Sequence, residues 1–411
     1  MATFIFENMT QAQADAITGA DIIAVSTTTV GARTVGVALS NQVGTDVITL
    51  TVGTKSLTFN AANLSTISDA GNIVFNDSSS IVLGTTGADA TLTGTTAPNT
   101  VYLFAGNDGF TSTGTNSEDF IYGMGGNDTI TGGSTASHLY GFNAAGGTDG
   151  TDSLTGGAAG DYLQGNSGND TLDGGAGSDR VLGGAGNDVV VASAGNDTIN
   201  GNAGTDTLDG GTEDDNVRGG QGGDSVTGGA GNDFVFGDLG ADTVGGGTGI
   251  DQASGGGGND VFYFASGDVT TGTTVSSVTF YDTVLDYVDG EDEFRITAGG
   301  STFGDAASSA ELNIGAAGAT FTTVSAATVY AQQLLDANTA TNDVSIVKVG
   351  SDTYFFWDST GVNGAAIDSI VKVAGITDTS LFTQADFGYQ EIAAEIGPDM
   401  LIIGPDMLIE V

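Results

Sequence analysis

The sequence predicts an all-β protein built around a parallel β-roll, a solenoid of short stacked strands, with β-rich regions on both sides. Three observations predict it: a nonapeptide repeated in phase, 69 glycines among 411 residues, and 51 acidic against 7 basic side chains. A nine-residue period fits neither an α-helix, whose faces repeat every 3.6 residues, nor a single strand, whose faces repeat every two. A fixed period of this kind is typical of a solenoid.

The repeated unit is G-G-x-G-x-D-x-U-x, where U is apolar, and thirteen copies run in frame from Gly147 to Tyr263. Two further copies begin at Gly123 and Gly132, and the second has Ser137 in place of the aspartate. Six residues, 141–146, interrupt the frame, and we expect them to break the stacking phase. Looser copies lie upstream, around Asp89, Asp108 and Asp119.

Each unit contains a turn and a short strand. Glycine permits the positive φ of a tight turn, and the x-U-x triplet is a strand whose middle side chain points to one face. Two units, or eighteen residues, close one coil, so the apolar residues form one inward column on each side of the roll. The inward residues of the thirteen-copy run are Leu154, Leu163, Leu172, Val181, Val190, Ile199, Leu208, Val217, Val226, Val235, Val244, Ala253 and Phe262.

One buried side chain per half-coil stabilises by roughly 1.5–3 kcal/mol, whereas ordering each backbone residue costs about 1–2 kcal/mol. Burial therefore cannot hold this fold by itself, and stacked carboxylates repel unless a cation lies between them. Carboxylate and carbonyl oxygens suit Ca²⁺ better than Mg²⁺. Zinc is disfavoured because the chain has no cysteine and a single histidine, His138, at an outward position.

We therefore predict several calcium ions, bound by three sets of residues. The aspartates of the sixth position are Asp128, Asp152, Asp161, Asp170, Asp179, Asp188, Asp197, Asp206, Asp215, Asp224, Asp233, Asp242, Asp251 and Asp260. The asparagines of the fifth position are Asn127, Asn169, Asn187, Asn196, Asn232 and Asn259. The glycines of the fourth position, which would offer carbonyl oxygens, are Gly168, Gly177, Gly186, Gly195, Gly204, Gly222, Gly231, Gly240, Gly249 and Gly258.

These repeats resemble the RTX (repeats-in-toxin) calcium-binding nonapeptides, closely over Gly123–Tyr263 and loosely over Gly84–Tyr122. The resemblance implies secretion from a Gram-negative bacterium by the type I route, which uses an uncleaved C-terminal signal. It also implies an extracellular or cell-surface location. The segment from Phe280 to Ile296 is similar to the caps of RTX rolls, and the two ends of the chain resemble secreted and surface-layer proteins of alphaproteobacteria.

The chain divides into four predicted parts. Residues 1–83 form a β-rich cap or assembly domain, with a short helix from Thr10 to Ile17 followed by five strand-like segments. Residues 84–263 form the roll, degenerate over 84–122 and regular over 123–263. Residues 264–389 form a β-rich cap and secretion region, in which the segment 342–376 is predicted to contain three strands. Residues 390–411 form an apolar tail in which the heptapeptide IGPDMLI occurs twice, as an assembly strand or a secretion tail.

Composition and motifs exclude several functions. A formal net charge of −44 argues against nucleic acid as a partner. The N-terminus lacks a basic segment followed by an apolar run, so we expect no Sec signal peptide, and no apolar stretch is long enough for a transmembrane helix. The HExxH and GxSxG motifs are absent, and although paired carboxylates for glycoside cleavage are not excluded, no large non-repetitive domain could hold a substrate cleft, so we expect no catalytic residues and no organic cofactor site.

The sequence thus predicts a secreted, non-catalytic, calcium-dependent structural protein that assembles outside the cell as a surface layer, filament or matrix. A solitary adhesin or calcium-buffering exoprotein is the alternative, and an RTX-linked carbohydrate-active enzyme is the third. The expected partners are other copies of the chain and the type I secretion machinery, with cell-surface polysaccharide as a further candidate.

Overall fold

The computed structural model describes residues 3–16, 22–25, 36–42, 45–52, 55–60, 73–75, 80–84, 88, 92–94, 98–113, 118–142, 150–264, 282–288, 293–298, 301–302, 312–314, 321, 331, 344–357, 369–374, 376, 400–402 and 408–410. The chain forms two compact units, Met1–Ser225 and Val226–Val411. Each unit is described by itself below.

The described residues contain a 3₁₀ turn at Phe6–Asn8, one α-helix and many short strands. The elements up to residue 225 are β1 (Thr3–Ile5), α1 (Gln11–Asp15), β2 (Ile22–Val25), β3 (Gly36–Gln42), β4 (Thr45–Val52), β5 (Lys55–Asn60), β6 (Ile73–Phe75), β7 (Ser80–Leu83), β8 (Leu92–Thr93), β9 (Asn99–Tyr102), β10 (Gly109–Thr111), β11 (Asp119–Met124), β12 (Thr129–Thr131), β13 (Ser137–Phe142), β14 (Ser153–Gly157), β15 (Tyr162–Ser167), β16 (Thr171–Gly175), β17 (Arg180–Ala185), β18 (Val189–Val191), β19 (Thr198–Ala203), β20 (Thr207–Thr212) and β21 (Asn216–Gln221). The later strands are β22 (Ser225–Gly231), β23 (Phe234–Leu239), β24 (Thr243–Gly249), β25 (Gln252–Gly257), β26 (Val261–Phe264), β27 (Asp282–Val284), β28 (Glu293–Ala298), β29 (Ser301–Thr302), β30 (Leu312–Ile314), β31 (Val344–Val349), β32 (Asp352–Trp357), β33 (Ser369–Val373), β34 (Met400–Ile402) and β35 (Leu408–Glu410).

The first unit contains the predicted parallel β-solenoid. One sheet runs β7–β9–β11–β13–β15–β17–β19–β21, and a second runs β8–β10–β12–β14–β16–β18–β20, with every neighbouring pair parallel. Leu163 is in register with Val181, and Val181 with Ile199. Each strand therefore pairs with the strand of the next coil, as the eighteen-residue coil predicts.

The core of the roll consists of the two apolar columns. All of the predicted inward residues are buried, and the most exposed is Ala253 at 4 %. Along a strand such as β17, buried and accessible residues alternate, because successive side chains point to opposite faces. The all-β solenoid fold predicted from the period is confirmed.

The interruption at 141–146 does not break the stacking, so that expectation is wrong. Ile130 pairs with Leu154 and Leu139 with Leu163, at a sequence separation of 24 residues instead of 18. The strands on both sides keep their register because pairing aligns the apolar residues, and a slip would turn them toward solvent. The frame is interrupted in the sequence and continuous in the sheets.

The residues before the repeats contribute two kinds of sheet. The parallel pairs β1–β2 and β2–β6 show the solenoid type of pairing upstream of residue 84, and β7 continues it by pairing with β9 of the degenerate repeats. By contrast, β3, β4 and β5 form a separate antiparallel sheet, in which Ile48, Leu50, Leu57 and Phe59 are buried. The five strands predicted between residues 34 and 85 correspond to β3–β7.

The helix α1 begins where the sequence predicts. The hydroxyl oxygen of Thr10 accepts a hydrogen bond from the amide of Gln13 at 3.3 Å, and the Gln13 side chain accepts one from the amide of Thr10 at 2.9 Å. This reciprocal arrangement is a capping box. The helix ends at Asp15, and the predicted last residue, Ile17, lies outside the described residues.

The second unit combines parallel coils with antiparallel strands. The pairs β23–β25, β25–β27, β24–β26 and β26–β28 are parallel, whereas β31, β32 and β33 form an antiparallel meander with Gly350 at its first turn. This meander contains the three strands predicted within 342–376. The repeated tail heptapeptides pair with each other through β34 and β35.

Candidate metal centre

All the aspartates predicted to bind calcium are buried inside the turns, and the most exposed of them is Asp161 at 4 %. Each lies directly before an outward residue of its strand, at the end of the glycine-rich turn. Burial of so many carboxylates is costly unless each one is paired or bound to an ion. The environment of the two carboxylate oxygens therefore decides what these residues can do.

One oxygen of most of these carboxylates holds the coils together. Oδ1 of Asp188 accepts a hydrogen bond from the amide of Asp170 at 2.8 Å, and Oδ1 of Asp206 accepts one from the amide of Asp188 at 2.8 Å. The same bond, 18 residues apart, links Asp161 to Asp179 at 2.7 Å. In the second unit it links Asp233 to Asp251 at 2.8 Å. The Oδ1 atoms thus form a ladder along the roll axis.

The other oxygen lacks a hydrogen-bond donor in a central group of turns. We call this group the orphan set, since the Oδ2 atom of each member is buried and has no hydrogen-bond partner in the described structure. The members of the orphan set are Asp161, Asp179, Asp188, Asp197 and Asp206. A buried carboxylate oxygen without a donor is strongly unfavourable, so these atoms are where a cation would be stabilising.

The glycine at the first position of the unit leaves room for this oxygen. A Cβ atom at Gly183 would lie 2.5 Å from Oδ2 of Asp188 and 2.8 Å from the carbonyl oxygen of Gly201. A Cβ atom at Gly201 would likewise lie 2.4 Å from Oδ2 of Asp206 and 2.6 Å from the carbonyl oxygen of Gly219. Two acceptor oxygens from neighbouring coils therefore converge on one point, which any larger residue would fill.

The glycines at the fourth position supply further oxygens. All of those predicted, except Gly231, have a positive φ, for example 129° at Gly186. A Cβ atom at Gly186 would lie 1.7 Å from the carbonyl oxygen of Gly168 in the preceding coil. Among the described residues, no hydrogen bond reaches the carbonyl oxygens of Gly168, Gly177 or Gly186. These carbonyls remain available as ligands.

The fifth-position asparagines have a structural role that the sequence did not reveal. Oδ1 of Asn169 accepts a hydrogen bond from the amide of Asn187 at 2.8 Å, and Oδ1 of Asn187 accepts one from Thr205 at 2.9 Å. Oδ1 of Asn127 likewise accepts the amide of Thr151 at 3.2 Å. The side chains stack the turns on one another, and their assignment as calcium ligands stays a prediction.

Burial also raises the pKa values of the aspartates in the orphan set. Burial raises the pKa of Asp161 and Asp179 to about 7, against an ordinary value of 3.8. It raises the pKa of Asp197 and Asp206 to about 6 and shifts the pKa of Asp188 in the same direction. Hydrogen bonds from backbone amides oppose the increase but do not cancel it. Without a cation, these carboxyls keep their protons to a higher pH than an ordinary aspartate does.

The donor set fits calcium. Nowhere in the described ranges do three or more acidic or histidine side chains gather into a metal-binding group, so a site made only of carboxylates is not present there. Each turn instead combines a carboxylate with main-chain carbonyls of adjacent coils. Ca²⁺ accepts six to eight oxygen ligands of this mixed kind with flexible geometry, which Mg²⁺ does not. The ion would supply the positive charge that the buried Oδ2 atoms lack.

Three acidic residues near the turns are used differently. Asp119 accepts hydrogen bonds from the amide of Asn99 at 2.8 Å and from the hydroxyl of Ser112, so its carboxylate is satisfied by the protein. Asp108 donates its amide to Oδ1 of Asp128 at 2.9 Å and so extends the ladder upstream. The carboxylate of Asp286, in the predicted cap, accepts hydrogen bonds from the amides of Gly255 at 3.0 Å and Gly256 at 2.8 Å.

Two positions near Asp197 depart from the repeat pattern. Ala192 occupies the first position of the Asp197 unit and Glu213 the fourth position of the Asp215 unit, where most units have glycine. Glu213 has a φ of 74°, and its Oε2 accepts the amide of Gly195 at 3.0 Å. Its charge also raises the pKa of Asp197, after burial and the opposing backbone hydrogen bond. The Asp197 turn therefore lies near a second, exposed carboxylate.

His138 lies on the outer face, as the sequence predicted, with 30 % of its side chain exposed. Its Nε2 is 2.8 Å from Oε1 of Glu118, and its ring stacks on Phe120 with centroids 4.3 Å apart. At the neighbouring aspartate position, Ser137 is buried and donates its amide to Oδ1 of Asp161 at 2.6 Å. This turn keeps the ladder bond but has no carboxylate of its own.

The comparison with protein families agrees with these turns. The family profile of the RTX calcium-binding nonapeptide repeat, which spans four copies, matches residues 111–137, 146–181, 182–217, 209–244 and 245–270. Among solved structures, the solution structure of the AlgE6R3 subunit of the mannuronan C5-epimerase from Azotobacter vinelandii is similar at 23 % identity, covering 47 % of this chain and 87 % of that chain with a TM-score of 0.29. No curated protein matches the chain.

The fold and the turns define a calcium-binding β-roll. More particularly, the matched segments show that the chain carries RTX calcium-binding nonapeptide repeats. Such repeats are typical of extracellular proteins secreted by the type I route. Within the part of the chain that the structure describes, no helix is long and apolar enough to cross a membrane.

Proposed function

We propose that this chain is a secreted, non-catalytic structural protein that folds and self-assembles outside the cell when it binds calcium. The observation that carries the proposal is the orphan set, whose buried Oδ2 atoms have no donor from the protein. A roll with this interior needs an external cation, so calcium would control whether the chain is ordered. The resemblance of the two ends to alphaproteobacterial surface proteins supports a surface layer, filament or matrix.

The absence of catalytic function belongs to the proposal. Glycine-rich turns and one-residue strand cores leave the repeats without a substrate cleft, and the only histidine is held by Glu118 and Phe120 on the outer face. Partners of the assembled protein would be other copies of the chain, with type I secretion machinery acting before assembly. Cell-surface polysaccharide is a candidate anchor, and the net charge of −44 argues against nucleic acid as a partner.

Electron microscopy and sedimentation of the purified full chain, with calcium and with a chelator, test this function. We expect ordered polymers in calcium and expanded monomers in chelator. A chain that folds in calcium but stays monomeric at high concentration would refute assembly and favour the solitary adhesin or calcium-buffering exoprotein. Turnover of a polysaccharide would instead favour the carbohydrate-active enzyme.

The role of the tail is a separate question within this proposal. Leu401 pairs with Ile409 across β34 and β35, so the described parts of the two heptapeptides are antiparallel neighbours. We expect deletion of residues 395–411 to weaken assembly, because a strand pair has open edges that a neighbouring copy can extend. Refolding the deleted chain from inclusion bodies before adding calcium separates assembly from secretion. Unchanged assembly would make the tail a secretion element only.

A further inference from the structure

The outward face of the first sheet carries no acidic residue between β11 and β21, although the chain has 51 acidic side chains. We call it the acid-free face. It consists of Phe120, Tyr122, Met124, His138, Tyr140, Phe142, Tyr162, Gln164, Asn166, Arg180, Leu182, Thr198, Asn200, Asn202, Asn216 and Arg218. Glu118 reaches its edge, where it binds His138 at 2.8 Å. Elsewhere the face presents aromatic, amide and cationic groups.

The aromatic side chains of this face present their edges to solvent. Tyr122 stacks on Tyr102 and Tyr140 with centroids 5.1 and 4.9 Å apart and interplanar angles of 15° and 8°. Rings stacked along the roll axis turn their faces to one another, so their edges point outward. The edge of an aromatic ring carries partial positive charge. This half of the face therefore favours acceptor-rich or anionic partners.

The other half of the face carries the cations. Both basic residues of the thirteen-copy run, Arg180 and Arg218, are exposed there. They lie two strands apart, on β17 and β21, with Thr198 and Asn200 of β19 between them. Arg180 is in register with Thr198 and Arg218 with Asn200, so the two arginines are also offset by two residues along the strands, and their Cα atoms are about 12 Å apart. We call these four residues the arginine patch.

The second sheet of the same unit presents a complementary group on its outward face. Val191 is 38 % exposed and Val189 is 44 % exposed. Asp173 and Asp209 are in register with Val191, one on each side. These two carboxylates are also two strands apart, about 10 Å along the sheet. We call these four residues the aspartate–valine patch. Asp173 and Asp209 are the only outward acidic residues on the strands β10–β20 of this sheet.

We infer that the arginine patch of one copy docks on the aspartate–valine patch of a second copy. The inference rests on the proposed self-assembly and names the surface through which it occurs. The two patches have opposite charge, a comparable separation of their charged residues (about 12 Å between the arginines and about 10 Å between the aspartates), and a centre of small polar side chains facing two exposed valines. An acidic partner would be repelled by most of this protein but not by the acid-free face.

This joint has a consequence for the form of the assembly. The two patches belong to different sheets of one roll, so the contact joins unlike surfaces and leaves a free copy of each patch on the growing complex. Contacts of this kind produce open-ended assemblies rather than closed dimers. Calcium is required first, because both patches exist only when the coils are stacked.

Charge reversal and mixing test the joint in the full chain. One variant carries Arg180→Glu and Arg218→Glu, and the other carries Asp173→Arg and Asp209→Arg. We expect each variant alone to raise the critical concentration for calcium-induced assembly on the order of tenfold or more, because like charges then face each other. An equimolar mixture should assemble again, since each reversed patch then meets its complement. Circular dichroism and calcium stoichiometry should be unchanged in both variants.

A control variant with Thr129→Glu and Gln252→Glu adds negative charge at exposed positions outside both patches and should assemble like the unaltered chain. Normal assembly of the reversed variants, or failure of the mixture, would overturn the joint while leaving self-assembly intact. If the unaltered chain does not assemble, the proposed function fails and the joint fails with it.

A second measurement does not depend on charge. The chain has no cysteine, so Val191→Cys combined with Thr198→Cys introduces one thiol in each patch. Because the two positions lie on different sheets of the roll, a disulfide between them would link separate copies. Oxidation in calcium should give a ladder of covalent multimers, and each single variant should give dimers at most. An assembled double variant that yields no ladder would refute the docking of these two patches.

Discussion

Removal of calcium should make the stability of the roll fall steeply as pH rises through the weakly acidic range. In the folded chain the pKa values of Asp161 and Asp179 are raised to about 7, and those of Asp197 and Asp206 to about 6. In the unfolded chain these groups have the ordinary value of 3.8. Between these limits the folded chain binds more protons than the unfolded chain. Its stability is therefore complete below pH 4 and is lost as pH rises toward 7.

The magnitude follows from the number of protons involved. Between about pH 5 and 6, four carboxyls are mainly protonated in the folded chain and ionised in the unfolded chain. Each contributes about 1.4 kcal/mol per pH unit, so the free energy of unfolding should fall by about 5 kcal/mol over that unit. Whole domains have about 5–15 kcal/mol of stability. One pH unit should therefore suffice to unfold much of the calcium-free roll.

The assay is urea unfolding of calcium-free protein at intervals from about pH 4.5 to 8, followed by circular dichroism and repeated in calcium. Calcium keeps the carboxylates ionised, so the curve in calcium should be nearly flat above pH 6. His138→Gln, which removes the single histidine of the chain, serves as the control. Calcium-free protein that is as stable at pH 8 as at pH 5 would refute this account of the orphan set.

Four substitutions test individual parts of the roll. Asp188→Asn should stabilise the chelated protein at pH 8 by removing a buried charge while lowering calcium stoichiometry by one, as measured by calorimetry; an unchanged stoichiometry would contradict its role as a ligand. Ser137→Asp should do the reverse, adding one bound calcium and raising the melting temperature only in calcium; no gain in stoichiometry would show that the turn lacks other ligands. Gly186→Ala should destabilise by about 3 kcal/mol or more, since its Cβ atom would lie 1.7 Å from the carbonyl oxygen of Gly168 at a φ of 129°; normal urea unfolding would refute the stacking of these turns. Leu172→Ala should cost about 2–5 kcal/mol in calcium; a loss below 1 kcal/mol would mean that the inward column contributes little.

The sequence predicts the roll well because its information is periodic. Once Asp170 and Asp188 occupy the same position in units eighteen residues apart, the register of their strands and the inward direction of Leu172 and Val190 follow from strand geometry. The direction of the carboxylate also follows, since the residue before an outward position must point inward. The fold, the buried aspartates and the inward apolar residues could all be predicted in this way.

Features that depend on contacts without a fixed period could not be predicted. Asp119 looks like a loose copy of the calcium aspartates, yet Asn99 and Ser112 satisfy its carboxylate. The asparagine ladder was equally hidden, because Asn169 could bind either an ion or the amide of Asn187. The parallel pairing of β2 with β6 joins segments about fifty residues apart, and no repeat links them. In each case the deciding partner is distant in sequence and outside the nonapeptide frame.

The buried carboxylates and the net charge together explain why calcium would control both folding and assembly. Folding without cations places a column of buried carboxylates in each side of the roll, and the chain keeps a formal net charge of −44. The ions that satisfy the Oδ2 atoms therefore also reduce the repulsion between copies. On the order of ten bound ions would offset about twenty negative charges. The remaining charge would still repel a second copy from most directions at short range. The acid-free face is then the surface of the first unit on which another copy meets the least repulsion, and Arg180 and Arg218 make that approach attractive.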